Sequence, residues 1–308
     1  MIALGGNAIL PKGSSGDIHE QFKNTRRSVR GILLFLEQGY NIAITHGNGP
    51  QAGNELVRNE CARGIIPELP LGVIVAATEG WMGYMIEQSL QNALIKKGID
   101  REVITIPTQI LVDREDPAWT HPSKPIGRFM DEEEEALSLM ERGIPVVEDA
   151  GRGWRRVVPS PEPKEIVEKG VVRELVERGH IVIAAGGGGI PVCMNDDGTL
   201  EGVDGVIDKD LASAVLARDI MADILVILTA VPCVYLNFGK PDQRPLRELQ
   251  LADARKFLDQ GEFPQGSMGP KIEAACRFIE YGGKEVLITS LDMVEEAMAG
   301  VEGTRVFG

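Results

Sequence analysis

Residues 41–52 read Asn-Ile-Ala-Ile-Thr-His-Gly-Asn-Gly-Pro-Gln-Ala (NIAITHGNGPQA). Residues 41–45 are mostly apolar and β-branched, as in a strand that is buried on both faces. A Gly-Asn-Gly turn follows at residues 47–49, before a segment that is typical of a helix. The stretch therefore predicts a strand whose C-terminal end leads through a glycine turn into a helix.

The same order of strand and helix recurs along the chain. Further strands are predicted at residues 2–4, 102–106, 180–185, 224–229 and 285–289. Helices are predicted at residues 17–38, 73–97, 164–178, 208–218, 247–260 and 268–281, with one more helix near the C-terminus. Apolar strands that alternate with amphipathic helices indicate an α/β fold with a parallel sheet covered by helices.

Residues 111–163 interrupt this alternation. The segment contains seven prolines, two tryptophans and an acidic run at residues 131–135. Connections between a strand and a helix usually have about 2–6 residues, so this segment is too long to be one. It predicts an inserted subdomain or lid, in which the acidic run forms a solvated helix start.

Composition excludes several classes of function. The 308 residues carry a net charge of −14, which argues against a nucleic-acid partner and against an anionic membrane surface, but not against a small anion in a local pocket. The four cysteines are widely spaced, which predicts reduced thiols in the cytoplasm. We expect neither a signal peptide nor a membrane span.

Four glycine-rich turns are expected at the C-terminal ends of strands: Gly5-Gly6-Asn7, Gly47-Asn48-Gly49, residues 186–189 and residues 266–269. Glycine lets the backbone approach a ligand closely, and the N-terminus of a following helix attracts an anion. Together the turns predict a phosphate cradle. A dinucleotide site is the weaker alternative, because residues 47–52 match GxGxxA but Glu68, the expected ribose-binding acid, falls in a loop-like segment.

Three lysines are candidates for phosphate contacts. Lys209 and Lys271 stand at predicted helix starts, where a bound anion would explain a positive side chain. Lys124 lies in the insertion, and a solvated surface charge remains the alternative for all three. Asp210 either caps its helix or orients the lysines.

No motif supplies a nucleophile, a cluster of metal ligands or an evident general base. The lack of an evident general base is compatible with phosphoryl transfer to an acceptor that is already an anion, because such an acceptor does not have to lose a proton before attack.

Taken together, the motifs closely resemble the carbamate kinase family of the amino acid kinase superfamily. The segments that carry the resemblance are 2–9 (IALGGNAI), 45–53 (THGNGPQAG), 78–90 (TEGWMGYMIEQSL), 124–127 (KPIG), 155–163 (RRVVPSPEP), 186–192 (GGGGIPV), 206–213 (VIDKDLAS), 234–240 (VYLNFGK) and 266–275 (GSMGPKIEAA). They follow one another in family order over essentially the whole chain.

The resemblance implies a three-layer αβα sandwich on a largely parallel central sheet, with a small protruding subdomain inserted at about residues 111–163. Residues 1–205 would form the N-terminal lobe on the carbamate side, and residues 206–308 a nucleotide-binding lobe. The implied reaction is reversible phosphoryl transfer between ATP and carbamate, giving ADP and carbamoyl phosphate, with Mg²⁺ accompanying the nucleotide and no general base. A homodimer is also implied.

The resemblance also implies roles for individual residues. Those that resemble catalytic residues are Lys124, Lys209, Lys271 and Asp210. Those that resemble residues around the acceptor and the transferred phosphate are Gly5, Gly6, Asn7, Gly47, Asn48 and Gly49. Those that resemble nucleotide contacts are Lys209, Thr229, Tyr235, Met268, Gly269 and Lys271. No residue is assigned as a metal ligand.

Two departures from the family pattern stand out. The first strand begins at Met1 without the usual preceding residues, and the turn at residues 229–233 (TAVPC) contains Pro232, which lacks an N–H group.

Two alternative functions stay open. They are a superfamily enzyme that acts on another small carboxylate, such as acetylglutamate, and a non-catalytic nucleotide sensor. Both directions stay open: ATP synthesis during arginine breakdown, or supply of carbamoyl phosphate.

Overall fold

A computed structural model describes residues 1–11, 14, 16–130, 132–148, 153–264 and 266–308. The strands, in chain order, are β1 (Ile2–Leu4), β2 (Ala43–His46), β3 (Val103–Thr105), β4 (Gln109–Leu111), β5 (Lys124–Met130), β6 (Val146–Glu148), β7 (Trp154–Val158), β8 (Glu165–Ile166), β9 (Ile181–Ile183), β10 (Ile190–Met194), β11 (Leu200–Gly202), β12 (Ile224–Thr229), β13 (Val234–Leu236), β14 (Arg244–Leu246), β15 (Glu248–Gln250), β16 (Glu285–Ser290) and β17 (Thr304–Phe307).

The helices are α1 (Ile18–Glu37), α2 (Gly49–Cys61), α3 (Leu71–Lys97), α4 (Glu133–Glu141), α5 (Lys169–Glu177), α6 (Lys209–Asp219), α7 (Leu251–Asp259), α8 (Gly269–Glu280) and α9 (Val294–Met298). None of the helices in the described residues has the length and the apolar composition needed to cross a membrane.

The central sheet has the strand order β15-β17-β16-β12-β1-β2-β9-β3. The strands from β16 to β3 are mutually parallel, and β17 pairs antiparallel with β16. Strand β1 lies in the middle, where Ile2 pairs with Ile44 on one side and Val226 on the other. The predicted sandwich on a largely parallel sheet is therefore confirmed.

Side chains that alternate along the central strands divide the core between the two faces of the sheet. Ala3 of β1 packs in a cluster with side chains of α5, α6 and α8. Its neighbours Ile2 and Leu4 pack on the other face, against α1, α3 and α9. Because strands buried on both faces need cover on both, helices occupy each side and form the three layers.

The inserted subdomain consists of the sheet β5-β7-β6 and helix α4. These elements lie within the predicted segment 111–163, and the strands that flank it, β4 and β8, belong to a separate sheet with the order β11-β10-β4-β8. Strand β5 packs directly on α2, where a Cβ added to Gly53 would lie 2.0 Å from the Cα atom of Gly127. The two backbones are thus in direct contact at this point.

Two predicted helices begin later than expected. The first residues of 164–178 form β8, and those of 247–260 form β15, before α5 and α7 begin. Residues 304–307 form β17, which was not predicted. These short strands are stabilised by distant partners: Ile166 pairs with Ile110, and Leu249 pairs with Val306.

We predict that Gly53→Ala lowers the free energy of unfolding by about 1–3 kcal/mol, because the new methyl group must push β5 away from α2. Urea unfolding measures the difference. Gly170→Ala, in the first turn of α5 where nothing lies within 4 Å of an added Cβ, is the control and should leave stability unchanged or slightly raised. Equal effects of the two variants would contradict the close contact between β5 and α2.

Candidate functional site

A cleft of about 650 Å³ opens at the C-terminal ends of the central strands. Open parallel sheets bind ligands at this edge, where the strands give way to turns and helix N-termini. The lining includes most of the predicted site residues, namely Gly5, Gly6, Gly47, Asn48, Gly49, Lys124, Lys209, Asp210, Thr229 and Lys271. The side chain of Asn7 lies outside the described part of the structure.

Asp210 joins two of the lysines through ion pairs. Lys209 is the first residue of α6 and contacts the adjacent Asp210, while Nζ of Lys271, in the first turn of α8, lies 2.9 Å from Oδ2 of the same carboxylate. All three side chains are at least 86% buried. The prediction left open whether Asp210 caps its helix or orients the lysines, and the contacts show that it pairs with both of them.

The helix cap is Asp208. Its Oδ1 accepts hydrogen bonds from the backbone N–H groups of Asp210 (2.9 Å) and Leu211 (3.3 Å), and its other oxygen pairs with Lys124. The same aspartate thus starts α6 and holds the lysine of the inserted subdomain over the cleft. No sequence motif predicts this role for Asp208.

Burial and ion pairing shift the pKa values of these charged groups in opposite directions. Burial raises the pKa of Asp210, but the attraction of Lys209 and Lys271 outweighs it, so the pKa lies below its ordinary value. Burial also raises the pKa of Asp208, and Lys124 reverses the shift in the same way. For Lys209, burial dominates over the attraction of Asp210 and lowers the pKa.

The glycine turns bring their backbones close to these charges. A Cβ added to Gly47 would lie 3.3 Å from Cδ of Lys209 and 3.4 Å from the backbone nitrogen of Gly6. The turns after β1 and β2 and the start of α6 therefore meet at one place. The prediction that all four turns follow strands was wrong for residues 266–269, which connect α7 to α8, although Gly266 and Ser267 do line the cleft.

Arg155 on β7 lines the cleft in addition to the residues predicted from the sequence. Its Nη2 donates to the carbonyl oxygen of Gly127 at 3.0 Å, and its guanidinium lies 4.9 Å from the ring centre of Phe129. The only signal for it was its position in segment 155–163. Lys124 and Arg155 are thus two basic residues of the inserted subdomain that line the cleft.

Tyr235, Met268 and Gly269 do not line the cleft. The ring of Tyr235 packs on Phe238 with 5.9 Å between centres, and Met268 packs against the core. Gly269 is buried, and a Cβ added there would lie 3.1 Å from the carbonyl oxygen of Pro264. Packing accounts for these three residues in the structure, and their nucleotide contacts stay a prediction.

His46 is the one histidine next to a glycine turn, but it is fully buried and outside the cleft lining. Burial lowers the pKa of His46 to about 4, so the ring is neutral near pH 7. Among the residues that the structure describes, no group of three or more His, Cys, Asp or Glu side chains could hold a metal ion. The cleft therefore offers positive charge and backbone amides.

The comparisons with known proteins agree with one another. A sequence model of the amino acid kinase family matches residues 1–290. Carbamate kinase of Thermococcus kodakarensis is 49% identical over 99% of this chain and 98% of its own. Two structures of carbamate kinase from Giardia lamblia, each 43% identical, cover 99% of this chain and 97% of theirs: one bound to citric acid (TM-score 0.94) and one bound to AMP-PNP (TM-score 0.90).

We predict that Asp210→Asn lowers the free energy of unfolding by about 3–5 kcal/mol at pH 7, because it leaves two buried lysines without their carboxylate. The pKa of Asp210 is lowered by folding, so its ionisation stabilises the fold above the ordinary value of 3.8, and the contribution is lost as the pH falls. The difference between wild type and variant should therefore shrink below about pH 4.

Urea unfolding at several pH values measures this difference. Asp292→Asn is the control, because Asp292 lines the same cleft but forms an exposed pair with Arg27 and should contribute less than about 1 kcal/mol. A pH-independent difference for Asp210→Asn would contradict the ion-pair account.

Proposed function

The chain belongs to the amino acid kinase family and, within it, to the carbamate kinases, and we propose that it transfers a phosphoryl group reversibly between ATP and carbamate. It is therefore a phosphotransferase. The observation that carries the proposed chemistry is the convergence of Lys124, Lys209 and Lys271 on one cleft at the strand ends. Phosphoryl transfer depends on positioning and charge stabilisation, which this arrangement supplies.

In the proposed reaction an oxygen of carbamate attacks the γ-phosphorus of ATP in line with the bond to the β–γ bridging oxygen. That bond breaks, its electron pair stays on ADP, and carbamoyl phosphate forms. Carbamate is already an anion, so no proton has to be removed before attack. His46 is buried outside the cleft lining, so it does not lie where it could remove a proton from the acceptor.

We assign the charge stabilisation to groups on both sides of the transferred phosphoryl. Lys209 and Lys271 would neutralise the phosphate oxygens, with Asp210 holding the two ammonium groups in position. Lys124 would reach the acceptor from the inserted subdomain. The backbone of the first two glycine turns and the amide of Asn48 would surround the acceptor.

We further propose that the acceptor binds within residues 1–205 and the nucleotide within residues 206–308. Thr229 lines the cleft at the end of β12, and we keep Tyr235, Met268 and Gly269 as proposed nucleotide contacts. The AMP-PNP complex of the Giardia lamblia enzyme supports nucleotide binding by this chain. Four unpaired cysteines, three of them buried, support a cytoplasmic location.

Mg²⁺ fits this cleft as part of the nucleotide substrate. Asp208 and Asp210 are both paired with lysines, and the described residues supply no cluster of metal ligands. Mg²⁺ is commonly held by substrate phosphates with few protein ligands. When bound to the nucleotide it shields the negative charge of the phosphate oxygens.

We predict that the wild-type protein forms ATP from ADP and carbamoyl phosphate in the presence of Mg²⁺, and that Lys209→Ala loses about 10²–10³-fold in kcat because one preorganised charge is removed. A coupled assay for ATP measures both rates. Lys284→Ala is the control, because Lys284 forms an exposed pair with Asp223 on a different part of the surface.

The same assay, run forward with a panel of acceptors and ADP release as readout, tests the substrate. Carbamate should be preferred over acetylglutamate, which needs extra groups to anchor its side chain. A folded wild-type protein without activity in either direction would refute the proposal, and nucleotide binding without turnover would favour a sensor.

We also propose a homodimer formed through an apolar surface beside α3, which we term the α3 face. It consists of the exposed side chains Val57, Ile65, Ile66, Leu69, Val73 and Tyr84. Val73 and Tyr84 lie on the exposed side of α3, whereas the opposite side of the helix packs on the core. Exposed apolar patches rimmed by polar residues mark interaction sites, and a second copy of the chain would cover this one.

We predict that the double variant Ile65→Glu, Tyr84→Glu is monomeric at concentrations where the wild type is dimeric, because four glutamates would be brought together at the interface. Sedimentation velocity measures the masses. Val301→Glu, which changes an exposed apolar residue outside the α3 face, should leave the dimer intact. A monomeric wild type would refute the proposed dimer.

A further inference from the structure

Two adjacent polar residues lie buried in the middle of α3, on the side away from the α3 face. Thr78 is 0% exposed and Glu79 is 1% exposed. Burying a carboxyl group and a hydroxyl group side by side is costly unless each has hydrogen-bond partners. Each of the two residues has a hydrogen-bond partner in one of two glycine turns behind the cleft.

Thr78 holds the turn after β2. Its Oγ1 accepts a hydrogen bond from Nδ2 of Asn48 at 2.9 Å and donates to the carbonyl oxygen of Val75 at 2.8 Å. Asn48 is 2% exposed and lines the cleft. Thr78 therefore fixes the side-chain amide of Asn48 from behind without touching the cleft itself.

Glu79 holds the turn after β9. Its Oε1 accepts from the backbone N–H of Gly186 at 2.9 Å, and its Oε2 accepts from the backbone N–H of Thr108 at 3.2 Å. This turn has an unusual backbone: Ala185 has φ +52°, and Gly187 has φ +68°. A non-glycine residue in the left-handed region persists only where its surroundings hold it there.

The two turns contact each other and the start of α6. A Cβ added to Gly187 would lie 2.1 Å from Nδ2 of Asn48, and one added to Gly188 would lie 2.3 Å from the carbonyl oxygen of Ile207. Ile207 precedes Lys209 by two residues. Displacement of either turn would therefore reach both the acceptor side of the cleft and Lys209.

We propose that Thr78 and Glu79 are positioning residues for phosphoryl transfer: Thr78 orients the Asn48 amide, and Glu79 holds the 186–189 turn against Asn48 and the start of α6. The kinetic consequences of these two roles rest on the proposed function. Neither residue lines the cleft, so both act through the residues they hold.

The chemistry of Glu79 adds a pH dependence. Both carboxyl oxygens accept N–H groups, which only the carboxylate does fully, whereas burial raises the pKa of Glu79 to about 8. Repulsion by Glu168 also raises the pKa of Glu79. The ring of His46, which lies against Gly186, is neutral. The turn should therefore be held best above about pH 8.

The first test compares three variants on α3. Thr78→Val removes the acceptor of the Asn48 amide and should lower kcat and raise the KM for carbamoyl phosphate, each by about tenfold, with the KM for ADP unchanged. Thr78→Ser keeps the hydroxyl and should restore most of kcat. Ser89→Ala is the matched control, because Ser89 is also buried on α3 but its Oγ has no hydrogen-bond partner among the described residues.

A purely structural role would lower the thermal stability of Thr78→Val without changing the kinetics of the folded enzyme. Kinetic constants for Thr78→Val that equal those of Ser89→Ala would overturn the assignment of Thr78.

The second test uses Glu79→Gln, which places an NH₂ group against one of the two N–H donors. Wild-type kcat should rise through about pH 8, and Glu79→Gln should be slower and lack this step. In protein labelled with ¹⁵N-glycine, the amide resonance of Gly186 should titrate near pH 8 in the wild type and not in Glu79→Gln.

The NMR titration separates the two proposals. If the wild type does not turn over carbamoyl phosphate, the proposed function fails, while the resonance of Gly186 still reports whether Glu79 controls the turn. A Gly186 resonance that has the same position in the wild type and in Glu79→Gln, and is unchanged between pH 6 and 10 in both, would overturn the role of Glu79, whatever the substrate proves to be.

Discussion

One buried carboxylate allows two lysines to share a cleft. Lys209 and Lys271 come from the N-termini of two different helices, where the helix dipole disfavours a positive charge. Asp210 lies between them and is ionised because their attraction exceeds the cost of its burial. Without that charge the ammonium groups would repel each other and turn toward solvent, so the shape of the cleft depends on this pair of contacts.

The backbone around these charges is equally constrained. Turns after β1, β2 and β9 approach one another more closely than side chains permit, and glycine occupies the points of contact. Buried polar groups on α3 satisfy the N–H and amide groups that these turns present to the interior. The site is thus built from opposite sides: charged side chains enter from α6, α8 and the inserted subdomain, and α3 supports the turns from within.

The sequence predicted these features to different extents. Strands such as β12 are apolar on both faces, which is a local signal, so the parallel sheet could be predicted. Leu249 and Ile166 are buried in short strands only because partners more than 50 residues away pair with them, and local periodicity instead predicted longer helices. Lys209 and Lys271 could be predicted as phosphate contacts because the helix dipole disfavours a cation at a helix start, and a bound anion would explain it. Asp208 was missed because Lys124, its partner, is 84 residues away.

The charge of the cleft, finally, explains how an acidic protein can bind acidic substrates. Lys124, Lys209 and Lys271 supply three positive charges, and Asp208 and Asp210 remove two; the pair of Arg27 and Asp292 cancels. The balance of +1 among these side chains reverses the sign of the −14 chain locally. ATP and carbamate together carry about five negative charges, so the side chains alone leave the ternary complex negative. The divalent cation that we propose to enter with the nucleotide would offset part of this negative charge.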